Sequence, residues 1–196
     1  MKKDWGAPQR NAGPILAALD SVLGEGARVF ELASGTGQHA FAFTQAKPRW
    51  TWWPSDPDPE NLASIEAWRN EGGPGFRQAV RLDVTKEWPA LPEVDAIFCA
   101  NVMHIAPFDV TLALFDGARR ALAPGQSLIC YGPFKRGGAF SSDGDARFDA
   151  DLRARDRSWG IRDLEAVIEA AGAAGFAFVE RRAMPANNHF VIFRAT

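Results

Sequence analysis

Apolar positions along this chain follow two spacings that alternate. Short runs at 28–32, 49–53, 78–82, 95–100 and 127–132 are rich in Val, Ile, Phe and Trp, the composition of buried strands. Between them, 39–46, 59–70 and 109–122 carry helical spacing, and alternation of this kind predicts a parallel sheet. Ahead of the first strand, Asn11 is placed to cap a helix that begins near Pro14, turns Ile15, Leu16, Leu19 and Leu23 to one face and stops at Gly24. After the fifth strand, 133–144 is rich in glycine and serine, and 146–157 reads as a charged helix. A helix at about 164–171 then leads to two last strands, 176–182 and 190–193, whose short connection suits antiparallel pairing. Leu164, Val167, Ile168 and Ala171 keep i, i+3, i+4, i+7 spacing, which is core packing and carries no function. The expectation is one α/β domain with a doubly wound seven-stranded sheet, mostly parallel with a late antiparallel strand. Residues 1–24 form an N-terminal cap and 133–160 a lid over the strand ends, the alternative for the latter being a plain solvated connection.

The run from Val29 to Ala40 is an apolar strand entering a glycine turn. Gly35 and Gly37 let the backbone turn tightly and approach a ligand, and the helix that follows offers free N–H groups to an anion. Gly-x-Gly-x-x-Ala also fits a dinucleotide fingerprint, so the turn alone leaves a nicotinamide and another adenosine cofactor open. Glu31, four residues before the first glycine, favours a cationic or hydroxyl-bearing ligand over a pyrophosphate. Asp56 follows at the end of the aromatic strand, where a carboxylate accepts ribose hydroxyls, with Asp58 as a competitor for that role. Asn101 carries polar groups into the same region from the end of the fourth strand.

These residues resemble the class I methyltransferases that depend on S-adenosylmethionine, whose first motif is an acid, a small residue and Gly-x-Gly. Ala33 replaces that motif's first glycine, with Ser34 next, and an alanine there is expected to avoid φ > 0. The blocks Arg10-Asn11, 31–40, Pro54-Ser55-Asp56, Tyr131-Gly132-Pro133-Phe134, Gly160-Ile161-Arg162-Asp163 and 184–188 are similar to a small subfamily around methyltransferase-like protein 26, and they span almost the whole chain. The resemblance implies a Rossmann-like fold with S-adenosylmethionine as methyl donor and S-adenosylhomocysteine as product. It places Asp83 and the Val84 N–H beside the adenine. Three acids at successive strand ends repel one another in an empty low-dielectric site, and a sulfonium-bearing cofactor supplies compensating charge. Its carboxylate is expected at the N–H groups after Gly35, and its ammonium at Glu31, directly or through water.

Composition narrows the picture further. A chain of 196 residues with 46% hydrophobic content suits one well-buried domain, and a net charge of −2 gives no basic field for nucleic acid or an anionic membrane. The start lacks an apolar signal core and no stretch is long and apolar enough to span a bilayer, so a cytoplasmic protein is expected. Cys99 and Cys130 read as buried reduced thiols, and His39, His104 and His189 are scattered without ligand spacing, so no metal is expected.

Methyl transfer needs the acceptor lone pair in line with the methyl–sulfur bond, so positioning carries much of the catalysis and a base is optional. His104 is the best placed histidine for that base, the alternative being a structural histidine at a helix entrance. Tyr131, the only tyrosine, either orients an acceptor or packs its ring. Arg10, Asn11, Phe134, Arg162, Asn187 and Asn188 are expected to converge on a polar or carboxylate-bearing small molecule. The arginines between 153 and 162 read equally as a solvated face interleaved with acids. A nucleic-acid substrate is disfavoured because Ala100-Asn101-Val102-Met103 lacks the Pro-Pro-aromatic continuation that would resemble base-amino methyltransferases. The competing classes are a nicotinamide-dependent oxidoreductase and a catalytically degenerate cofactor-binding module that works with a partner.

Overall fold

The computed structural model describes residues 1–196. Seven strands form a sheet in the order β3-β2-β1-β4-β5-β7-β6, which is the expected mostly parallel arrangement with antiparallel C-terminal strands. The chain divides into two compact units, residues 1–99 and 100–196.

In the first unit, β1 (Arg28–Leu32) lies between β2 (Thr51–Asp56) and β4 (Ala96–Ala100), parallel to both, with Phe30 beside Trp53 on one side and Ile97 on the other. The strand order reverses between β1 and β4, and open α/β sheets bind ligands outside the carboxyl ends of such a switch point. Helices α1 (Gly6–Asp20), α2 (Gln38–Ala46) and α3 (Pro59–Arg69) complete the unit. Its core is aromatic: Phe43 meets the Trp52 ring edge-on at 5.1 Å and Phe98 at 6.3 Å. Burying a side chain of this size contributes about 1.5–3 kcal/mol, which is why aromatic strands hold a sheet this thin at its edge. That edge is β3 (Val80–Arg81), shorter than the five residues expected, because only Val80 and Arg81 keep register with Ser55 and Asp56.

Helix α1 begins well before Pro14 and contains it. Pro14 cannot donate to the carbonyl of Arg10 and would normally mark a helix start. The preceding turns survive because Asp4 and Trp5 are fastened to other side chains, and Ile15, Ala18 and Leu19 bury the rest of the helix. Asn11 is therefore a helix-interior residue rather than a cap.

The second unit pairs β5 (Ser127–Pro133) with β7 (Asn188–Ala195), and β7 with β6 (Phe176–Ala183), all antiparallel. Helices α4 (Phe108–Ala121), α5 (Asp143–Arg155) and α6 (Leu164–Ala173) accompany them. Phe115 packs against Phe193 at 5.6 Å and Phe176 at 6.1 Å. Helix α5 starts three residues earlier than its charge pattern suggests, since the Ser142 side chain accepts the Asp145 N–H and caps it.

Candidate cofactor turn and acceptor cluster

In the first unit, β1 runs straight into a turn with three left-handed residues, Ala33 (φ 51°), Gly35 (φ 59°) and Gly37 (φ 89°). Ala33 thus adopts the conformation an alanine is expected to avoid, at a cost on the order of 1 kcal/mol. The bonds around it hold the strain in place: Ser34 N–H donates to Ser55 O at 2.8 Å, Ser55 N–H to Ser34 Oγ at 3.1 Å, and Ser55 Oγ to Glu31 O at 2.8 Å. Gly37 has a second constraint, since a Cβ there would lie 2.9 Å from Ile65 Cα. Helix α2 begins at Gly37 with no side-chain acceptor on its first N–H groups, the arrangement that receives an anion.

Asp56 joins this turn directly. Its Oδ2 accepts the Gly35 N–H at 2.9 Å, and its Oδ1 accepts the Asp58 N–H at 3.0 Å and Asn61 Nδ2 at 3.1 Å. Burial raises its pKa, and the bonds from Asp58, Asn61 and Gly35 work against the rise. Asp58 itself caps α3 by accepting the Glu60 N–H, which leaves Asp56 as the acid facing the turn.

Glu31 is 1% exposed and partnered inside the fold. Its Oε2 accepts Trp52 Nε1 at 2.9 Å and its Oε1 lies 3.7 Å from His39 Nδ1, while His39 Nε2 bonds Asn11 Oδ1 at 2.8 Å. Asn11 is spent on that histidine, and Arg10 folds back along α1, with Nη1 2.9 Å from where a Gly6 Cβ would stand. Asp83 is exposed and its Oδ1 accepts both Thr85 N–H and Thr85 Oγ1, which hold its pKa below the ordinary value. The Val84 carbonyl accepts Trp88 Nε1.

The segment before α1, the first part of the expected N-terminal cap, contributes bonds that the sequence did not show. Lys3 N–H donates to Ser64 Oγ and Lys3 O accepts Trp68 Nε1, so the segment is bolted to α3. Gln38 Oε1 accepts the Trp5 N–H at 2.8 Å and Thr36 Oγ1 at 2.8 Å, while its Nε2 donates to Asp4 Oδ1. Trp5 Cζ3 then lies 3.7 Å from the bare face of Gly35.

In the second unit, Asn101 is left-handed (φ 63°) and its N–H donates to Tyr131 O at 2.7 Å. His104 follows on a short 3-10 turn, 1% exposed. Its Nδ1 accepts the Arg162 N–H at 3.3 Å, its carbonyl accepts the Gly160 N–H, and its Nε2 has no partner. Burial, with the charge of Arg162, pushes its pKa down to about 3, against the opposing pull of the Gly160 backbone and Asp149. Nε2 is aimed at Gly132, where a Cβ would stand 2.6 Å from it and 3.2 Å from Asn101 Oδ1. Tyr131 and Phe134 are both buried, and Phe134 meets the His104 ring edge-on at 4.9 Å.

Three of the expected acceptor ligands make side-chain hydrogen bonds within the fold. Arg162 Nε donates to Met103 O at 2.8 Å, and its Nη2 donates to Ser158 O and Ala106 O, so the guanidinium ties a loop to α4's approach. Asn188 Nδ2 bonds Pro185 O and Ala186 O within its own turn, and Asn187 Nδ2 reaches Ser142 Oγ at 2.9 Å. Asp149, not singled out in the sequence, is buried and accepts the Ile161 N–H at 2.7 Å and Arg153 Nε at 2.7 Å. The chain carries no group of three or more His, Cys, Asp and Glu residues able to hold a metal, no helix long and apolar enough to cross a membrane, and two buried free cysteines.

The seven-stranded sheet ending in an antiparallel pair is a fold shared with solved methyltransferase structures. The chain matches the mitomycin 7-O-methyltransferase MmcR with a TM-score of 0.82 at 15% identity, covering 97% of this chain and 54% of that one. It matches an O-methyltransferase family 2 protein from Planctomyces limnophilus in complex with apigenin (TM-score 0.80, 18% identity, 97% and 60% covered). It also matches human N-acetylserotonin methyltransferase in complex with SAM (TM-score 0.78, 17% identity, 96% and 52% covered). The chain thus spans little more than half the length of these proteins and shares their fold. By sequence, it belongs to the family described as Protein of unknown function (DUF938), which matches residues 2–195.

Proposed function

We propose that this chain transfers a methyl group from S-adenosylmethionine to a small-molecule acceptor by in-line displacement, in the cytoplasm, and that it falls in the subfamily around methyltransferase-like protein 26. One observation carries the reading: the Gly35 N–H is bonded to Asp56 Oδ2 at 2.9 Å, so the glycine turn and the second-strand acid form one unit at the switch point. The fold shared with methyltransferases supports it.

Residues 33–37 and the start of α2 receive the donor's carboxylate, and Asp56 accepts the ribose hydroxyls. Those donors offset the burial that raises its pKa. Asp83 and the Val84 N–H serve the adenine. Glu31 acts through Trp52 and His39, fixing the underside of the turn rather than touching the ammonium. When bound, the sulfonium supplies an electrophilic methyl group. On the acceptor side, a His104 pKa of about 3 leaves the imidazole neutral throughout the physiological range, so it takes part as a hydrogen-bonding partner of the acceptor and is too weak a base to drive deprotonation. Tyr131 and Phe134 orient and flank that acceptor.

Calorimetric titration with S-adenosylmethionine, S-adenosylhomocysteine and NAD in parallel tests the reading. Selective binding of the first two, weakened at least tenfold in Asp56→Ala, is expected. Binding of NAD alone overturns the assignment in favour of an oxidoreductase, and binding of none points to a degenerate module.

A further inference from the structure

His189 sits in β7 directly across from Gly132 of β5, and cross-strand partners project to the same face. It is 5% exposed, and its Nδ1 has no partner. Phe134, two residues beyond Gly132 on that face, touches both histidines, with ring centres 4.9 Å from His104 and 6.2 Å from His189. The bare position at Gly132 is thus met by the orphaned His104 Nε2 and by Asn101 Oδ1, with His189 across the ladder and the Phe134 ring against both histidines. Leaving a buried polar atom unpaired costs about 1–3 kcal/mol, and nothing in the packing of this unit repays it.

The charges that face His189 are unequal. Arg181 lies on the neighbouring strand, opposite Val191, which shares the His189 face two residues on. Arg136 stands in a turn whose geometry is fixed by four bonds: Arg136 and Ala139 exchange both backbone bonds, Gly137 N–H donates to Glu165 Oε2 and Gly138 N–H to Asp163 Oδ2. Neither arginine side chain is in an ion pair, whereas the adjacent Arg182 is neutralised by Glu180 at 2.5 Å. Both arginines lower the pKa of His189 after burial has done so, and Asp145 alone opposes them. The result is a neutral imidazole in a field made positive by two arginines that no ion pair neutralises.

We propose that His189, Arg136 and Arg181 form the subsite for a carboxylate on the methyl acceptor, with the acceptor's apolar body against Phe134 and its reacting end toward His104 and the bare face of Gly132. An anion satisfies the field, a hydrogen bond satisfies Nδ1, and arginines match carboxylates bidentately. The acceptor is thereby a small organic acid. This rests on the methyl-transfer reading above, while the carboxylate site itself is testable without turnover.

With three histidines in the chain, ring 15N signals of selectively labelled protein can be assigned by comparison with single variants. The probes are benzoate, phenylacetate and succinate, against benzyl alcohol as the uncharged control, each with and without S-adenosylhomocysteine. Saturable shifts of the His189 ring nitrogens with at least one carboxylate are expected, with none from benzyl alcohol and none at His39. Arg136→Gln with Arg181→Gln should weaken that binding at least tenfold while circular dichroism stays unchanged, since Arg136 is exposed and Arg181 half-buried. The subsite is overturned if no carboxylate moves His189, if benzyl alcohol moves it equally, or if the double variant binds as tightly as the parent. Failure of S-adenosylhomocysteine to bind overturns the methyl-transfer reading instead, and does so independently of what benzoate does.

Discussion

A histidine that is 1% exposed and held near pKa 3 makes the fold sensitive to acid in a way that one substitution removes. In the unfolded chain His104 titrates near its ordinary 6.5, so between 6.5 and about 3 the unfolded state binds a proton that the folded state refuses. The folded pKa is depressed; stability is therefore full above the unfolded value and falls as the pH drops below it. Each pH unit in that window is worth about 1.4 kcal/mol, so lowering the pH from 7 to 5 costs about 2 kcal/mol through this residue alone. His104→Gln cannot take up that proton. Urea unfolding of both proteins at pH 7 and pH 5 should show the parent losing about 2 kcal/mol more than the variant. The comparison cancels the other shifted groups, including Asp56, whose raised pKa works in the opposite direction, and His189, whose lowered pKa works in the same one. Equal losses would refute the claim that His104 is kept neutral by its surroundings. The same property predicts that no limb near pH 6.5 in a kcat/KM profile belongs to His104.

Gly37→Ala should destabilise by about 2 kcal/mol or more by thermal or urea melting, since its Cβ would meet backbone at Ile65 and its φ is left-handed. Trp52→Phe removes the donor to Glu31 Oε2 and trims a fully buried ring, and the under-partnered carboxylate together with the space left behind should cost at least about 1–3 kcal/mol in urea unfolding. Substituting Arg28, which pairs with Glu93 and Asp95 on the surface, should leave the urea midpoint nearly unmoved in the same assay, and move it less still in high salt.

The sheet was legible because its strands are short apolar runs spaced by helical ones, and the glycine turn because its residues sit at a strand end. The register of an edge was not: Gln78 and Ala79 have strand composition, but Ala79 gives its N–H to Glu66 Oε1 and leaves the ladder. Ala33 defeated a local rule because the serine bonds on either side outweigh its φ preference. Arg162 and Asn188 were singled out because their blocks resemble a subfamily pattern, and no local signal shows that loop carbonyls will accept from their side chains. His189 stayed silent for the opposite reason. An isolated histidine in a strand says nothing until the antiparallel register sets it across from a glycine.

The bonds that Gln38 makes with Asp4, Trp5 and Thr36 give the first residues of the chain a share in the glycine turn. Coupling of this kind is reciprocal: whatever orders the turn also orders the segment laid across it, by the same free energy. A ligand at residues 33–37 would then slow proteolytic cleavage near Lys2 and Lys3, so the start of the chain reports from a distance on the occupancy of a turn thirty positions later in the sequence.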